Sequence, residues 1–246
     1  MGSGVLSKAA RRLVNLGAGR VVDQALAAVW PPRCVLCGDA AGGDNLCDGC
    51  RDDLPWVTTG CQRCAEPLPR TVAMCGSCAR SLPPFDAAWA SVIYGGAAAS
   101  LVHRFKFRGD LAAGRALADA LAARVRDADR PQLLVPVPLH WTRQWRRGFN
   151  QAELLAEDVR RAIDGPPVHG LLTRHRRTSA QSVLAAGRRR ANVRGAFRCR
   201  RPPWPGLSHV ALVDDVMTTG ATLAECTRAL KRAGLRRVDL WVAARA

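Results

Sequence analysis

The chain has 246 residues, 48% of them apolar, which is enough for one good-sized domain and a smaller module. The uncharged stretch from Ala87 to Val102 is shorter than the ~20 residues a membrane helix needs and contains Gly95-Gly96, so no transmembrane span is expected. Net charge is +17 and unevenly spread: residues 136–209 carry 15 basic and 4 acidic side chains, and Arg174 to Arg201 holds ten arginines and no acid. Such a tract calls for a polyanionic partner, unless it is simply a solvated loop.

In chain order, residues 1–30 read as an amphipathic helix. Val5, Leu6, Leu13, Val14, Val21, Val22, Leu26 and Val29 are interleaved with Lys8, Arg11, Arg12, Arg20 and Asp23, and Pro31-Pro32 ends the pattern. The interleaved charges leave no secretory h-region, and the expected location is cytoplasmic.

Residues 31–82 form a cysteine module. Eight of the ten cysteines fall into four C-x-x-C pairs: Cys34/Cys37, Cys47/Cys50, Cys61/Cys64 and Cys75/Cys78. Cys34 to Cys61 is 27 residues and Cys50 to Cys78 is 28, so the module is a tandem repeat. Two cysteines three apart on a tight knuckle direct both sulfurs at one ion, and two knuckles complete a tetrahedral site. Disulfides compete with this reading, but a reducing compartment and serial C-x-x-C spacing favour structural zinc. One Cys₄ site per half is the simplest partition; interleaved pairing is the alternative. Few large apolar side chains occur here, so metal must supply much of the folding free energy. Cys199 and Cys226 read as ordinary thiols.

The third region, 83–246, opens on Pro83-Pro84-Phe85-Asp86, read as a linker. A strand is expected over Ala88–Tyr94, a short helix over Ala97–Phe105, and a basic aromatic turn at Phe105-Lys106-Phe107-Arg108-Gly109. A helix follows over Leu111–Arg126, and then a strand over Gln132–Val137 broken by Pro136 and Pro138. After an arginine- and tryptophan-rich stretch from Leu139, a helix runs from about Ala152 to Ala162. Val210-Ala211-Leu212-Val213 is a continuous apolar run, as in a strand buried on both faces. It ends in Asp214 and Asp215, with Met217-Thr218-Thr219-Gly220-Ala221-Thr222 behind them and a helix that Gly234 stops. Val238–Ala243 is the closing strand. Strands alternating with helices predict a doubly wound parallel sheet with ligands beyond the strands' carboxyl ends.

The loop after Val213 carries the most chemistry. Free N–H groups at a helix start, with threonine hydroxyls beside them, bind phosphate. Adjacent carboxylates accept hydrogen bonds from a vicinal diol or hold the waters of Mg²⁺. Phosphate beside diol describes a ribose 5-phosphate. The segment resembles the phosphoribosyl pyrophosphate (PRPP) signature of type I phosphoribosyltransferases.

The wider pattern is narrower still. Paired C-x-x-C knuckles, Pro83-Pro84-Phe85-Asp86, Phe105-Lys106-Phe107, Val135-Pro136-Val137-Pro138-Leu139 and Arg147-Gly148-Phe149-Asn150-Gln151 come first. Arg177-Thr178, Gln181, Arg189, Asn192, Gly195-Ala196-Phe197 and the Asp214-Asp215 loop follow. Together they resemble the ComF family (ComFC-like, GntX-like), from Pro31 to Ala246. That resemblance implies a double zinc-ribbon module ahead of a type I phosphoribosyltransferase domain, and an association with natural transformation or use of DNA. It also implies PRPP binding by Asp214, Asp215, Met217, Thr218, Thr219, Gly220, Ala221 and Thr222, with Mg²⁺. Pro138, Leu139, Arg143 and Arg147, with Arg146, would form the pyrophosphate loop. Arg177, Thr178, Gln181 and Arg189 would belong to a mobile loop over PRPP.

Catalytic candidates are Arg143, Arg147 and Arg189, which suit a departing pyrophosphate. Purine-type relatives typically carry an aspartate base where this chain has Thr218, and threonine is a poor base near neutral pH. Binding of PRPP and single-stranded DNA is therefore the leading expectation, since arginines interleaved with Trp141, Trp145, Phe149 and Trp204 suit stacked bases. Transfer to an acceptor, PRPP sensing without chemistry, and contacts with DNA-uptake proteins stay open.

Overall fold

The computed structural model describes residues 33–41, 45–139, 148–175, 193–200 and 205–246. The helix expected over 1–30 lies outside them. The chain divides into two compact units, residues 1–52 and 53–246.

In the first unit the Cys34–Cys37 knuckle is a tight turn. The Cys34 amide donates to the Asp39 carbonyl at 2.7 Å and the Gly38 amide to the Cys34 carbonyl at 2.9 Å. Gly38 sits at φ 84, a conformation open to glycine at no steric cost. A one-turn helix, α1 (Asp48–Asp52), begins directly after Cys47, with the Arg51 amide on the Cys47 carbonyl at 2.9 Å.

The second unit opens on the same device, which confirms the tandem repeat at backbone level. Cys61 N donates to Glu66 O at 2.9 Å, Ala65 N to Cys61 O at 2.8 Å, and α2 (Gly76–Arg80) follows Cys75 with Ala79 N on Cys75 O at 2.9 Å. Ala65, at φ 54, takes the left-handed conformation that Gly38 takes in the first copy.

The rest of this unit is α/β. In chain order it contains β1 (Ala88–Ile93), α3 (Gly96–Arg108), α4 (Leu111–Val125), β2 (Leu133–Pro136) and α5 (Gln151–Ala162). The two-stranded antiparallel hairpin β3 (Leu172–Arg174) and β4 (Phe197–Cys199) follows, then β5 (His209–Met217), α6 (Ala221–Arg232) and β6 (Arg237–Arg245). The sheet order is β1-β6-β5-β2 and every pairing is parallel. Helices α4 and α5 pack against the sheet together, while α6 packs with the β3–β4 hairpin. Alternate strand residues (Ala88, Ala90, Leu133, Val135, Val210, Leu212, Leu240 and Val242) join Leu223, Cys226 and Leu230 of α6 in one core cluster. Cys61, Cys64 and Cys78 belong to that same cluster.

Three expectations change. The Phe105-Lys106-Phe107 segment is not a turn but the last helical turn of α3, because the chain reverses only at Gly109 (φ 67), whose amide caps the Arg104 carbonyl. Asp110 then starts α4, its carboxylate accepting from Ala112 N at 3.0 Å and Ala113 N at 3.1 Å. Strand β5 does not stop at Val213: its ladder with β6 continues through Asp214↔Val242 to Met217↔Arg245. The Pro83–Asp86 segment is docked rather than loose, with Phe85 2% exposed and the Asp86 carboxylate accepting from Val238 N at 2.8 Å and from the Lys231 ammonium at 2.9 Å.

Helices α3 and α4 touch at Gly114, where an added Cβ would lie 2.6 Å from Phe105 Cε2. Phe105 is 1% exposed and has nowhere to go. Gly114→Ala is therefore expected to destabilise the fold by about 1–3 kcal/mol, outweighing the ~1 kcal/mol that alanine gains in helix propensity. Urea denaturation with an unchanged or raised midpoint would contradict this packing.

Candidate functional site at the carboxyl edge of the sheet

The cysteines form two clusters, Cys34/Cys37/Cys47/Cys50 and Cys61/Cys64/Cys75/Cys78, with the sulfurs of each set within 4.8 Å of one another. The one-site-per-half partition is the one adopted. The Cys37–Cys47 and Cys64–Cys75 sulfurs are 3.6 and 3.7 Å apart. A tetrahedron with ~2.3 Å metal–sulfur bonds has edges of about 3.8 Å, so the donor set fits zinc. The Cys75 amide also donates to Cys61 Sγ at 3.2 Å, the N–H···S contact that supports a thiolate.

Acidity within the clusters is divided. Burial raises Cys34, but amides of Cys37 and Cys47 outweigh it and bring the thiol down to about 6. Burial likewise opposes the amide and thiol bonds that bring Cys75 down to about 7. Cys50 is pushed up by its Cys37 and Cys47 neighbours, and Cys78 by burial and Cys64. Four sulfurs competing for protons are reconciled by a dication. All four positions are filled by cysteine, so the role is structural.

The second feature lies where β2 and β5 end side by side. Pro136 pairs with Val213, and the Val137 amide donates to the Val213 carbonyl at 3.0 Å. Pro138 and Leu139, half-buried, therefore leave the sheet next to Asp214 and Asp215. Asn150 closes this corner: its side-chain amide donates to the Val137 carbonyl at 3.2 Å and its oxygen accepts from Ala152 N at 3.2 Å, capping α5.

Asp215 is 7% exposed, and its amide donates to Asp214 Oδ1 at 2.9 Å. Asp214 keeps some contact with solvent but is densely surrounded by protein. Burial first, and the Asp215 charge second, push its carboxyl up to about 7 against the pull of Lys106, the Asp215 amide and Arg174. Lys106, from the last turn of α3, places its ammonium 3.0 Å from Asp215 Oδ1 and 2.8 Å from Oδ2.

Behind the acids, Gly220 adopts φ 69 and starts α6, with the Ala224 amide on its carbonyl at 2.8 Å. A Cβ there would sit 3.0 Å from Met217 Cε. Thr218 is half-buried, Thr219 exposed, and Thr222 lies in the first turn of α6. The strand end, the carboxylate pair and the helix start are thus brought together as expected. Arg143, Arg146, Arg147, Arg177, Thr178, Gln181 and Arg189, with Trp141, Trp145 and Trp204, lie outside the described residues.

Three site residues escaped the sequence reading. Lys106 was visible as part of the basic aromatic Phe105-Lys106-Phe107 segment; its helical register, which turns it towards Asp215, was not. Arg174 stacks on the Phe197 ring at 5.3 Å and acts on the Asp214 charge. Arg245, at the end of β6, is 9% exposed and donates to the Thr218 carbonyl at 2.7 Å. No local motif marks it.

Fold and site define a class: a double zinc ribbon leading into a parallel α/β domain with an acidic pair and a helix start at its carboxyl edge. Residues 25–83 match the double zinc ribbon domain family. Competence protein F of Haemophilus influenzae is 41% identical over 59% of this chain and 67% of its own length. The DNA utilization protein YhgH of Escherichia coli strain K12 is 37% identical over 57% of this chain and 64% of its own. The chain thus spans about two-thirds of these curated relatives. The chain belongs to the ComF family. A solved structure of the allosteric regulatory enzyme of purine biosynthesis is 20% identical, covering 53% of this chain and 25% of that one, with a TM-score of 0.36. Among the described residues no helix is long and apolar enough to cross a membrane.

Proposed function

We propose that the carboxyl edge of the sheet binds magnesium-PRPP and that the chain also binds single-stranded DNA, in a pathway of DNA uptake or utilisation. The observation that carries the first half is the meeting of Asp214 and Asp215 with the Thr218–Thr222 turn and the start of α6. The helix-start amides and the Thr219 and Thr222 hydroxyls would receive the 5′-phosphate. Asp214 and Asp215 would accept from the ribose hydroxyls. Their oxygens also suit a hard divalent cation, which when bound supplies charge neutralisation at the pyrophosphate. Arg143, Arg146 and Arg147 would complete the pyrophosphate side, with Arg177, Thr178, Gln181 and Arg189 closing over it. Lys106 offsets part of the acid pair's negative charge until ligand arrives. Thr218 offers no general base, which favours ligand binding or sensing over transfer to a purine.

The DNA half rests on the Arg174–Arg201 tract and on the names of the relatives, competence protein F and DNA utilization protein. Calorimetric titration of PRPP with Mg²⁺, with and without single-stranded DNA, tests both halves. Neutralising Arg188, Arg189 and Arg190 together is expected to weaken DNA binding at low salt. The slope of log affinity against log salt should flatten by about 0.7 per lost phosphate contact. Unchanged DNA affinity in the triple variant would remove this tract as the DNA surface, and absent PRPP heat would remove the ligand assignment.

A further inference from the structure

The guanidinium of Arg245 joins two features that the sequence keeps far apart. Its Nε donates to the carbonyl of Cys64, a member of the second cysteine cluster, at 3.3 Å. Its Nη1 donates to the carbonyls of Met217 at 3.2 Å and Thr218 at 2.7 Å, the first residues of the ligand loop, and also to that of Ala246. Its Nη2 bonds and ion-pairs with the Glu66 carboxylate. Glu66 is itself part of the knuckle, since its carbonyl accepts the Cys61 amide at 2.9 Å. The group is 9% exposed, so these partners stand in for water. The ladder of β6 fixes it in place: the Ala246 amide donates to the Met217 carbonyl at 2.9 Å and the Tyr94 amide to the Arg245 carbonyl at 2.7 Å.

We infer that Arg245 is a positioning residue through which metal occupancy of the second cysteine cluster sets the shape of the ligand loop. With zinc bound, the Cys61–Glu66 turn is rigid and presents the Cys64 carbonyl and Glu66 carboxylate to one side of the guanidinium. The other side then holds the Met217 and Thr218 carbonyls, which orients the peptide planes leading into Thr219-Gly220-Ala221. Without zinc, four crowded sulfurs have no common cation and the knuckle opens. Arg245 then loses its knuckle acceptors, and a buried cation short of partners recruits whatever carbonyls or water it can reach. The loop amides become mobile. A protein built this way engages its phosphorylated ligand only while its zinc is in place, so chelation switches binding off. That consequence rests on the ligand reading above; the coupling of knuckle to loop does not.

Amide hydrogen exchange across residues 216–222 tests the coupling without any ligand. Removing zinc from the second cluster, by mild chelation or by Cys75→Ser, is expected to speed exchange there about tenfold, within the range for coupled sites. Peptides from β2 and α5 report the general loss of stability that zinc removal brings, and the acceleration in the loop is read relative to theirs. Arg245→Met should show fast exchange with zinc still bound, and zinc removal should add nothing further, because the connection is already cut. Arg245→Lys should restore part of the protection, since one ammonium can meet the loop carbonyls or the knuckle but not both. Should Arg245→Met fail to fold, Glu66→Gln keeps the guanidinium and removes only its charged knuckle partner; a zinc response reduced by about threefold is then expected. Loop amides that stay protected after zinc loss, or zinc responses of equal size in wild type and variants, would overturn the inference. If the coupling holds while calorimetry finds no PRPP binding, the ligand reading fails and the connection stands.

Discussion

Asp214→Ala combined with Asp215→Ala is expected to weaken magnesium-PRPP binding by ~3–5 kcal/mol, a loss of roughly 150-fold or more. The pair would accept the ribose hydroxyls and hold the metal's water shell, and two to three charge-assisted hydrogen bonds vanish with it. DNA binding should persist, since removing acids near a polyanion cannot weaken its attraction. Titration calorimetry decides the matter: wild-type PRPP affinity in the double variant would refute the site assignment. Removing the Asp214 charge alone should move stability the other way. The Asp214 carboxyl, held at about 7 by burial and the Asp215 charge, lies above its ordinary value of 3.8. The folded state therefore binds more protons than the unfolded one between those values, and stability falls as pH rises from about 4 to about 7. Asp214→Asn abolishes this titration, so its stability relative to wild type should improve across that window and level off above it. A gap that is flat or shrinks with pH would show that Asp214 is not strained by its surroundings. A buried carboxylate whose ionisation costs stability, as at Asp214, is a pattern common at sites retained for ligand chemistry.

Loss of the second zinc is expected to have the other large effect. Cys78 is 5% exposed and shares a core cluster with Phe85, Leu223 and Val242. Cys78→Ser leaves three thiolates, a poorer ligand set, and a hydroxyl buried among apolar groups. Zinc in isolated fingers contributes ~10–16 kcal/mol of apparent folding energy. Losing even a third of that would lower the melting temperature of residues 53–246 by roughly 10 °C or more. Cys47→Ser, in the first cluster, should instead make residues 31–55 protease-sensitive while residues 86–246 keep their melting transition. Elemental analysis should find about two zinc ions per wild-type chain and one in either variant. Equal melting temperatures for the two variants would contradict the assignment of the second cluster to the core of the α/β domain.

Much of this molecule was legible from residue order, because the relevant physics is local. Sulfurs three residues apart must share a knuckle, and an apolar run ending in two acids and a threonine-glycine turn must leave a parallel sheet at its carboxyl edge. The alternation of strands with helical periods implied parallel pairing for the same reason. Where long-range contacts compete with local signals, the sequence was silent. Aspartate is a poor strand former, so residue order alone ends β5 at Val213; the ladder with β6 carries it on to Met217. Lys106-Phe107-Arg108 shows no apolar period, so residue order alone stops α3 at Phe105, and only the position of Gly109 settles its end. Which cysteines share a metal, and that Cys61, Cys64 and Cys78 sit in the sheet's own core, depended on packing. The Lys106–Asp215 pair spans 109 residues of sequence and the Arg245–Cys64 bond 181. Nothing in a local pattern encodes a partner at that separation. Chain order determined the knuckles, the strand end and the acid pair by itself; the cation that neutralises the acids and the arginine that anchors their loop were decided only when the sheet closed.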